Sequence, residues 1–242
     1  MTFILGMRCI DGLVLCADAL EEDGIVKKRV NKIFRIEDDA DWGIAIAGAG
    51  DGGIIDKFNV EAQVRLPKMI LDRYGIENYI EELLSEFRMK YRQGRFSLIV
   101  AFYNKSTSDC FLYRSEDMIL APVEGSVQIG CGNELWSLLA DSIYDRKHTV
   151  LDNIAVGSFA TRLAAHYAVG VGEPIQIISY TKESDGWSSL GGWDLDTFLV
   201  RHVTAGNINA AIREWWRTFN APGRVAQTDE MRRAFNARHP SW

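Results

Sequence analysis

Several things are scarce in this sequence, and each scarcity narrows what the protein can be. Lysine and arginine are not concentrated anywhere: 27 basic residues stand against 33 acidic ones, for a net charge of −6 and an isoelectric point near 5.3. Nucleic acids are gripped by clustered cations, so no nucleic-acid partner is expected. No stretch approaches the run of about 20 apolar residues that a membrane helix needs. The N-terminus also lacks the basic segment, apolar core and cleavage site of a secretory leader. The expectation is a cytoplasmic protein with no membrane partner. The four cysteines, Cys9, Cys16, Cys110 and Cys131, show no CxxC spacing and sit in apolar surroundings, the pattern of reduced, buried thiols. The four histidines, His148, His166, His202 and His239, have no ligand-pair spacing, so neither metal nor cofactor is expected. There is no internal repeat, low-complexity tract or linker. With 242 residues, 47% of them hydrophobic, the chain can bury one large core, and residues 1–242 are read as one domain.

What the chain does have is a change of period. The runs from Phe3 to Cys9 and from Leu13 to Ala17 read as strands of a hairpin, with Asp11-Gly12 as its two-residue turn. A charged, irregular stretch, LEEDGIVKKRVN, separates them from a second strand pair, KIFRIE and WGIAIAG. Four strands are thus expected before any helix. Helical character is then predicted from Ile54 to Leu66, with Pro67 as a breaker. A second helix carries Ile76, Tyr79, Ile80, Leu83, Leu84, Phe87 and Tyr91 on one stripe. FSLIVAFY, DCFLYR, MILAPVE and SVQIG form another block of strands, followed by helices near Glu134–Tyr144 and Leu151–Tyr167 and the strand PIQIISYT. Helices are also expected at Ile208–Phe219 and from Asp229, the latter capped by Thr228. Strands, helices, strands, helices and a final strand favour an α+β fold. Two antiparallel sheets face each other between outer helices, a four-layer αββα sandwich with a helical C-terminal extension.

The chemistry centres on the second residue. Threonine is a weak nucleophile as an ordinary side chain, but as the first residue of a mature chain its own α-amine can take the hydroxyl proton. The small side chain of Thr2 permits removal of Met1 without a dedicated protease. Asp18 ends the second strand, at the end of the sheet where Thr2 starts. Lys32 opens the next strand, where a buried ammonium would favour ionisation of a nearby hydroxyl. Gly48, bare of a side chain, could offer its backbone N–H to an oxyanion. Each also has a purely structural reading: a turn cap, a solvated lysine, a turn glycine.

Taken together, Thr2, CIDGLVLCAD ending at Asp18, NKIFRI with Lys32 and GIAIAGAGD with Gly48 resemble the start of a proteasome β-type subunit, a family of the N-terminal nucleophile (Ntn) hydrolases. The length and N-terminal form are nearest to the bacterial Anbu-type, or ancestral β, relatives. The resemblance implies an Ntn-hydrolase fold. It makes Thr2 both nucleophile and base, Asp18 and Lys32 its charge network, and Gly48 the oxyanion donor. The lysine assignment requires a loop after Asp18 shorter than is common in the family, which leaves Lys27 and Lys28 as alternatives. IGCGNELWSLLAD resembles the family's glycine-serine-glycine turn, with Cys131 in place of the serine that helps hold the nucleophile's amine. HYAVGVG places Tyr167 and Gly170 where the family carries an aspartate and a serine. The acidic Glu21, Glu22 and Asp23, where an extended substrate would lie, suggest a groove for basic side chains. The pattern of elements covers about residues 2–181, with the Trp-rich extension about residues 187–242 packing on the core or on another subunit. The implied activity is a threonine-type peptidase, without cofactor, acting on peptide or unfolded-protein substrates. Its setting would be a self-compartmentalised homo-oligomeric ring or helical assembly, with an ATPase unfoldase as a candidate partner. The alternatives are an inactive proteasome-fold ring or scaffold subunit and a small-molecule Ntn amidohydrolase.

Overall fold

A computed structural model describes residues 2–23, 26–37, 41–66, 72–132, 135–137, 140, 143–168, 170–184 and 186–191. The strands are β1 (Phe3–Arg8), β2 (Gly12–Asp18), β3 (Leu20–Asp23), β4 (Val26–Arg29), β5 (Ile33–Glu37), β6 (Trp42–Gly50), β7 (Phe96–Asn104), β8 (Asp109–Glu116), β9 (Ile119–Pro122), β10 (Ser126–Gly130), β11 (Ile175–Thr181) and β12 (Ser188–Gly191). The helices are α1 (Gly52–Arg65), α2 (Arg73–Lys90) and α3 (Val150–Tyr167). The expected helices at Ile208–Phe219 and from Asp229, the tryptophans Trp193, Trp215, Trp216 and Trp242, and the break at Pro67 lie outside the described residues. Of the stretch Glu134–Tyr144, the described residues 135–137, 140 and 143 are helical.

Two five-stranded antiparallel sheets carry the fold, one in the order β10-β1-β2-β11-β12 and the other β5-β6-β7-β8-β9. Side chains alternate between the faces of a strand, and here both faces are covered. On β1 and β2, Phe3, Leu5, Met7, Val14 and Cys16 turn toward α3, while Ile4, Leu13, Leu15 and Ala17 turn toward the other sheet. The same division explains the run IAIAGAG. Ile44 and Ile46 pack beneath α1 and α2, whereas Ala45, Ala47 and Ala49 face the opposing sheet. Small residues on the inner face let the two sheets approach, and large ones on the outer face fill the space under the helices. Three apolar layers result, which is the expected αββα sandwich.

The helices begin where their caps dictate. Asp51 accepts a hydrogen bond from the Ile54 N–H at 3.2 Å and starts α1. Thr149 and Asp152 form a reciprocal capping box at the start of α3, which satisfies N–H groups that the helix itself cannot. The predicted stripe of α2 is buried from Ile76 to Phe87, and this packing, rather than intrinsic propensity, holds such a helix in place.

Three local expectations are corrected. LEEDGIVKKRVN is not irregular: β3 and β4 form a separate two-stranded ribbon, with Glu21 opposite Lys28 and Glu22 opposite Lys27. Among the described residues six strands, not four, therefore precede α1. The first hairpin turns at Ile10-Asp11, because Cys9 N–H bonds the Gly12 carbonyl at 2.9 Å. Gly12 lies within β2, where a Cβ would collide with the Tyr180 carbonyl of the neighbouring strand. Beyond PIQIISYT, Ser188–Gly191 adds an unforeseen edge strand to β11. Trp187 just before it is buried against the stacked rings of Tyr103 and Tyr180, whose centroids are 3.8 Å apart.

Candidate active site

The residues singled out from the sequence meet at one end of the sandwich. Thr2, half-buried, enters β1 between β2 and β10. Its carbonyl accepts the Cys131 N–H at 2.7 Å, and Phe3 pairs with Gly130. Asp18 ends β2 beside it and is fully buried. Its carboxylate accepts the Phe3 N–H at 2.8 Å, the peptide group that follows Thr2. On the other sheet, continuing the Ile33–Ala47 register by one step sets Lys32 opposite Gly48. The two sheets touch here as well, since a methyl group on Gly130 would lie 3.3 Å from the Ala49 Cβ.

Lys32 links the sheets. Its Nζ donates to both Asp18 oxygens at 2.9 Å and to the Leu20 carbonyl at 2.6 Å, with only 7% of the residue exposed. Burial pulls the ammonium below its ordinary range, and the Asp18 carboxylate is the largest influence opposing that fall. Asp18 also accepts backbone N–H groups from Leu20 and Gly172, each at 3.3 Å. An ion pair removed from water persists only when its remaining valences are satisfied, and here three peptide N–H groups and an ammonium converge on one carboxylate. Of the alternative lysines, Lys28 is exposed and pairs with Glu21 at 2.9 Å, and the side chain of Lys27 lies outside the described residues.

Gly48 has a packing reason to be glycine. A Cβ there would stand 2.6 Å from Ile55 Cγ2 on α1, so its small size seats the helix against β6. The turn holding Cys131 depends on glycine in another way. Gly130 and Gly132 have φ of +87° and +82°, a region that disfavours side chains. Gln128 clasps this turn through its Nε2, which donates to the carbonyls of Ile129 and Cys131 at 2.7 and 2.8 Å. Cys131 is half-buried and close enough to Lys32 to act on it electrostatically.

Two residues noted as departures from the family pattern fall on the turn after α3. Tyr167 is the last residue of that helix and packs against the helix-side core, while Gly170 adopts a φ of +77°. This turn reaches Asp18 through the Gly172 backbone N–H. The acidic segment is not an open loop of free carboxylates. Glu21 is paired to Lys28 on the ribbon and approaches Gly52 at the start of α1, and the side chains of Glu22 and Asp23 lie outside the described residues.

Sequence reading missed Gln176. From β11 its Oε1 accepts the Lys32 N–H at 2.9 Å and its Nε2 donates to the Val30 carbonyl at 2.5 Å. Nothing local marks it, because its partners lie 144 and 146 residues away in the chain. Among the described residues, no group of three or more His, Cys, Asp or Glu side chains is arranged to hold a metal ion, and no helix is long and apolar enough to cross a membrane.

No protein-family model matches the chain. Among proteins of known type, it is 28% identical over 205 residues to the proteasome subunit beta of Methanopyrus kandleri, spanning 82% of this chain and 95% of that protein. Among solved structures it superposes on Anbu, the ancestral beta-subunit, from Yersinia bercovieri with a TM-score of 0.72 at 13% identity, covering 93% of this chain and 99% of the other. Anbu from Pseudomonas aeruginosa, solved as a helical assembly, gives a TM-score of 0.70 at 13% identity with the same coverage.

Proposed function

From kinship in sequence with proteasome β subunits and in fold with Anbu, we propose that the chain is a threonine-type N-terminal nucleophile peptidase acting through Thr2. The observation that carries this reading is the buried Asp18, which joins the Lys32 ammonium at 2.9 Å to the peptide N–H following Thr2 at 2.8 Å. A buried, compensated cation held by Asp18 beside the start of β1 is more than a strand terminus requires, and it suits a hydroxyl that must ionise.

In this mechanism Met1 is removed and the α-amine of Thr2 accepts the proton of its own hydroxyl. The oxygen attacks the scissile carbonyl, and the tetrahedral oxyanion is met by the Gly48 N–H. Collapse of the intermediate expels the amine product, which leaves with the proton held by the Thr2 ammonium. An ester on Thr2 remains, and a water deprotonated by the same amine hydrolyses it. The positive field of Lys32 lowers the cost of the alkoxide, Asp18 holds Lys32 in place, and Cys131 fixes the main chain of Thr2. No cofactor enters these steps. The substrates are peptides or unfolded proteins, and the protein acts in the cytoplasm as a self-compartmentalised homo-oligomer, fed by an ATPase unfoldase where folded proteins are degraded. Support for assembly comes from the helical assembly of the Pseudomonas aeruginosa Anbu.

One specific observation favours a second reading, an inactive scaffold of the same fold. The turn after α3 carries Tyr167 and Gly170 where the family pattern has an aspartate and a serine, and it meets Asp18 through the Gly172 backbone N–H. Intact-mass analysis with a peptide epoxyketone or β-lactone separates the two. A chain lacking Met1 that gains one adduct, lost in Thr2→Ala, supports the peptidase. A fully retained methionine with no adduct supports the scaffold.

A further inference from the structure

We infer that Gln176 is a positioning residue for the nucleophile's cation: its carboxamide stands in for a missing strand and holds the backbone of Val30–Lys32 so that the Lys32 ammonium reaches Asp18. This deepens the peptidase reading and rests on it. The segment between β4 and β5 belongs to neither sheet, and among the described residues the ribbon side holds its main chain through the Val30 N–H, which donates to the Ala19 carbonyl at 2.9 Å. Gln176 completes the attachment. Its position on β11 lies opposite Ala17, whose side chain is on the inner face of the sheet, so its carboxamide extends toward the second sheet. One carboxamide then donates to residue 30 and accepts from residue 32, the alternation a neighbouring strand would provide. Lys32 and Asp18 are thereby referenced to the same sheet, through Gln176 on β11 and through β2 beside it. A lysine side chain has four rotatable methylenes, so fixing its backbone is what makes a 2.9 Å contact persistent.

The test compares Gln176→Met and Gln176→Glu with the native protein in the assembled full chain, using two readouts. The first is the rate of covalent trapping of Thr2 by a β-lactone from pH 5 to 9. The second is the titration midpoint of Lys32, followed by NMR at its side-chain Cε. Methionine removes both hydrogen bonds, and trapping should slow by up to about a hundredfold, the scale of a misplacement near 1 Å, with the half-saturating probe concentration unchanged. Glutamic acid, when neutral, reproduces the donor and acceptor pattern, but as a carboxylate it faces the Val30 carbonyl with no proton and adds charge beside Lys32, Asp18 and Glu21. Its rate relative to the native protein should therefore recover toward pH 5 and fall as pH rises, and the methionine variant should show no recovery. A purely structural role predicts losses that follow thermal stability at every pH, with the Lys32 midpoint unmoved, and that result overturns the inference. If the native protein is not trapped at all, the peptidase reading falls, and the Lys32 midpoint alone decides: a shift in Gln176→Met upholds the positioning role and an unmoved midpoint refutes it.

Discussion

Replacing Asp18 by asparagine keeps the shape of the side chain and removes its charge. From the described residues five hydrogen bonds reach its two oxygens, two at Oδ1 and three at Oδ2, with Lys32 contributing one to each. The asparagine oxygen can replace Oδ1, where the Phe3 bond is shortest. Its NH₂ group then confronts the N–H groups of Leu20 and Gly172, and the Lys32 ammonium is left in the interior without its counter-charge. Breaking a buried pair from one side costs about 3–5 kcal/mol, which in a chain of this size is a fall in Tm of about 6–20 °C. The loss also has a sign in pH. Burial already lowers the Lys32 pKa and Asp18 opposes that fall, so the variant's pKa is lower still. Between the two folded values, the native protein keeps the Lys32 proton as the unfolded chain does, whereas the folded variant has released it. The unfolded variant then binds one more proton than the folded variant, and its stability rises with pH by up to about 1.4 kcal/mol per unit. The deficit relative to the native protein should shrink toward alkaline pH. Urea unfolding from pH 6 to 9, with unchanged m-values, measures it. The double variant Asp18→Asn with Lys32→Met should be more stable than Asp18→Asn alone. A loss under about 1 kcal/mol, or strictly additive effects in the double variant, would refute the description of Asp18 and Lys32 as a buried, mutually dependent pair.

Gly48→Ala should cost about 1–3 kcal/mol through overpacking against Ile55, and its cost should be smaller when measured in an Ile55→Ala background; a thermal melt of Gly48→Ala matching the native one would show that α1 does not rest on this glycine. Burial pushes the Cys9 thiol up to about 12 and the Cys110 thiol up to about 11, and Cys16 is raised too. Folded thiols keep protons that the unfolded chain releases above pH 9, so their contribution is complete below that pH and is lost as pH rises toward the folded values. Each contributes a slope of about −1.4 kcal/mol per unit, which outweighs the single opposing proton of Lys32. Unfolding free energies measured from pH 8.5 to 10.5 should fall steeply, and Cys110→Ala should flatten the curve; a flat native profile would contradict the burial of these thiols.

Much of the architecture could be read from periodicity. The stripe from Ile76 to Phe87 and the alternation of isoleucine and alanine from Ile44 to Ala49 each encode which face is buried. The order of elements was enough to imply two sheets between helices. Local chemistry drew attention to Thr2, Asp18, Lys32 and Gly48, and the resemblance to proteasome β subunits, carried by their order and spacing, added Cys131. The ribbon of β3 and β4 escaped because its alternation is of charges, Glu21 with Lys28 and Glu22 with Lys27, and charge pairs across a hairpin have no hydrophobic period to reveal them. β12 escaped because four residues at a sheet edge take their conformation from β11.

Sequence alone determined which residues can be buried and which can react, since those properties belong to side chains and their nearest neighbours. Tertiary structure decided which of them meet. Asp18 gains its bond to Gly172, and Lys32 its hold from Gln176, only when β11 is laid against β2, which closes more than 140 residues of intervening chain. Contacts of that range leave no local trace, because each partner looks ordinary in its own segment and acquires its role from the register of strands that are distant in the chain.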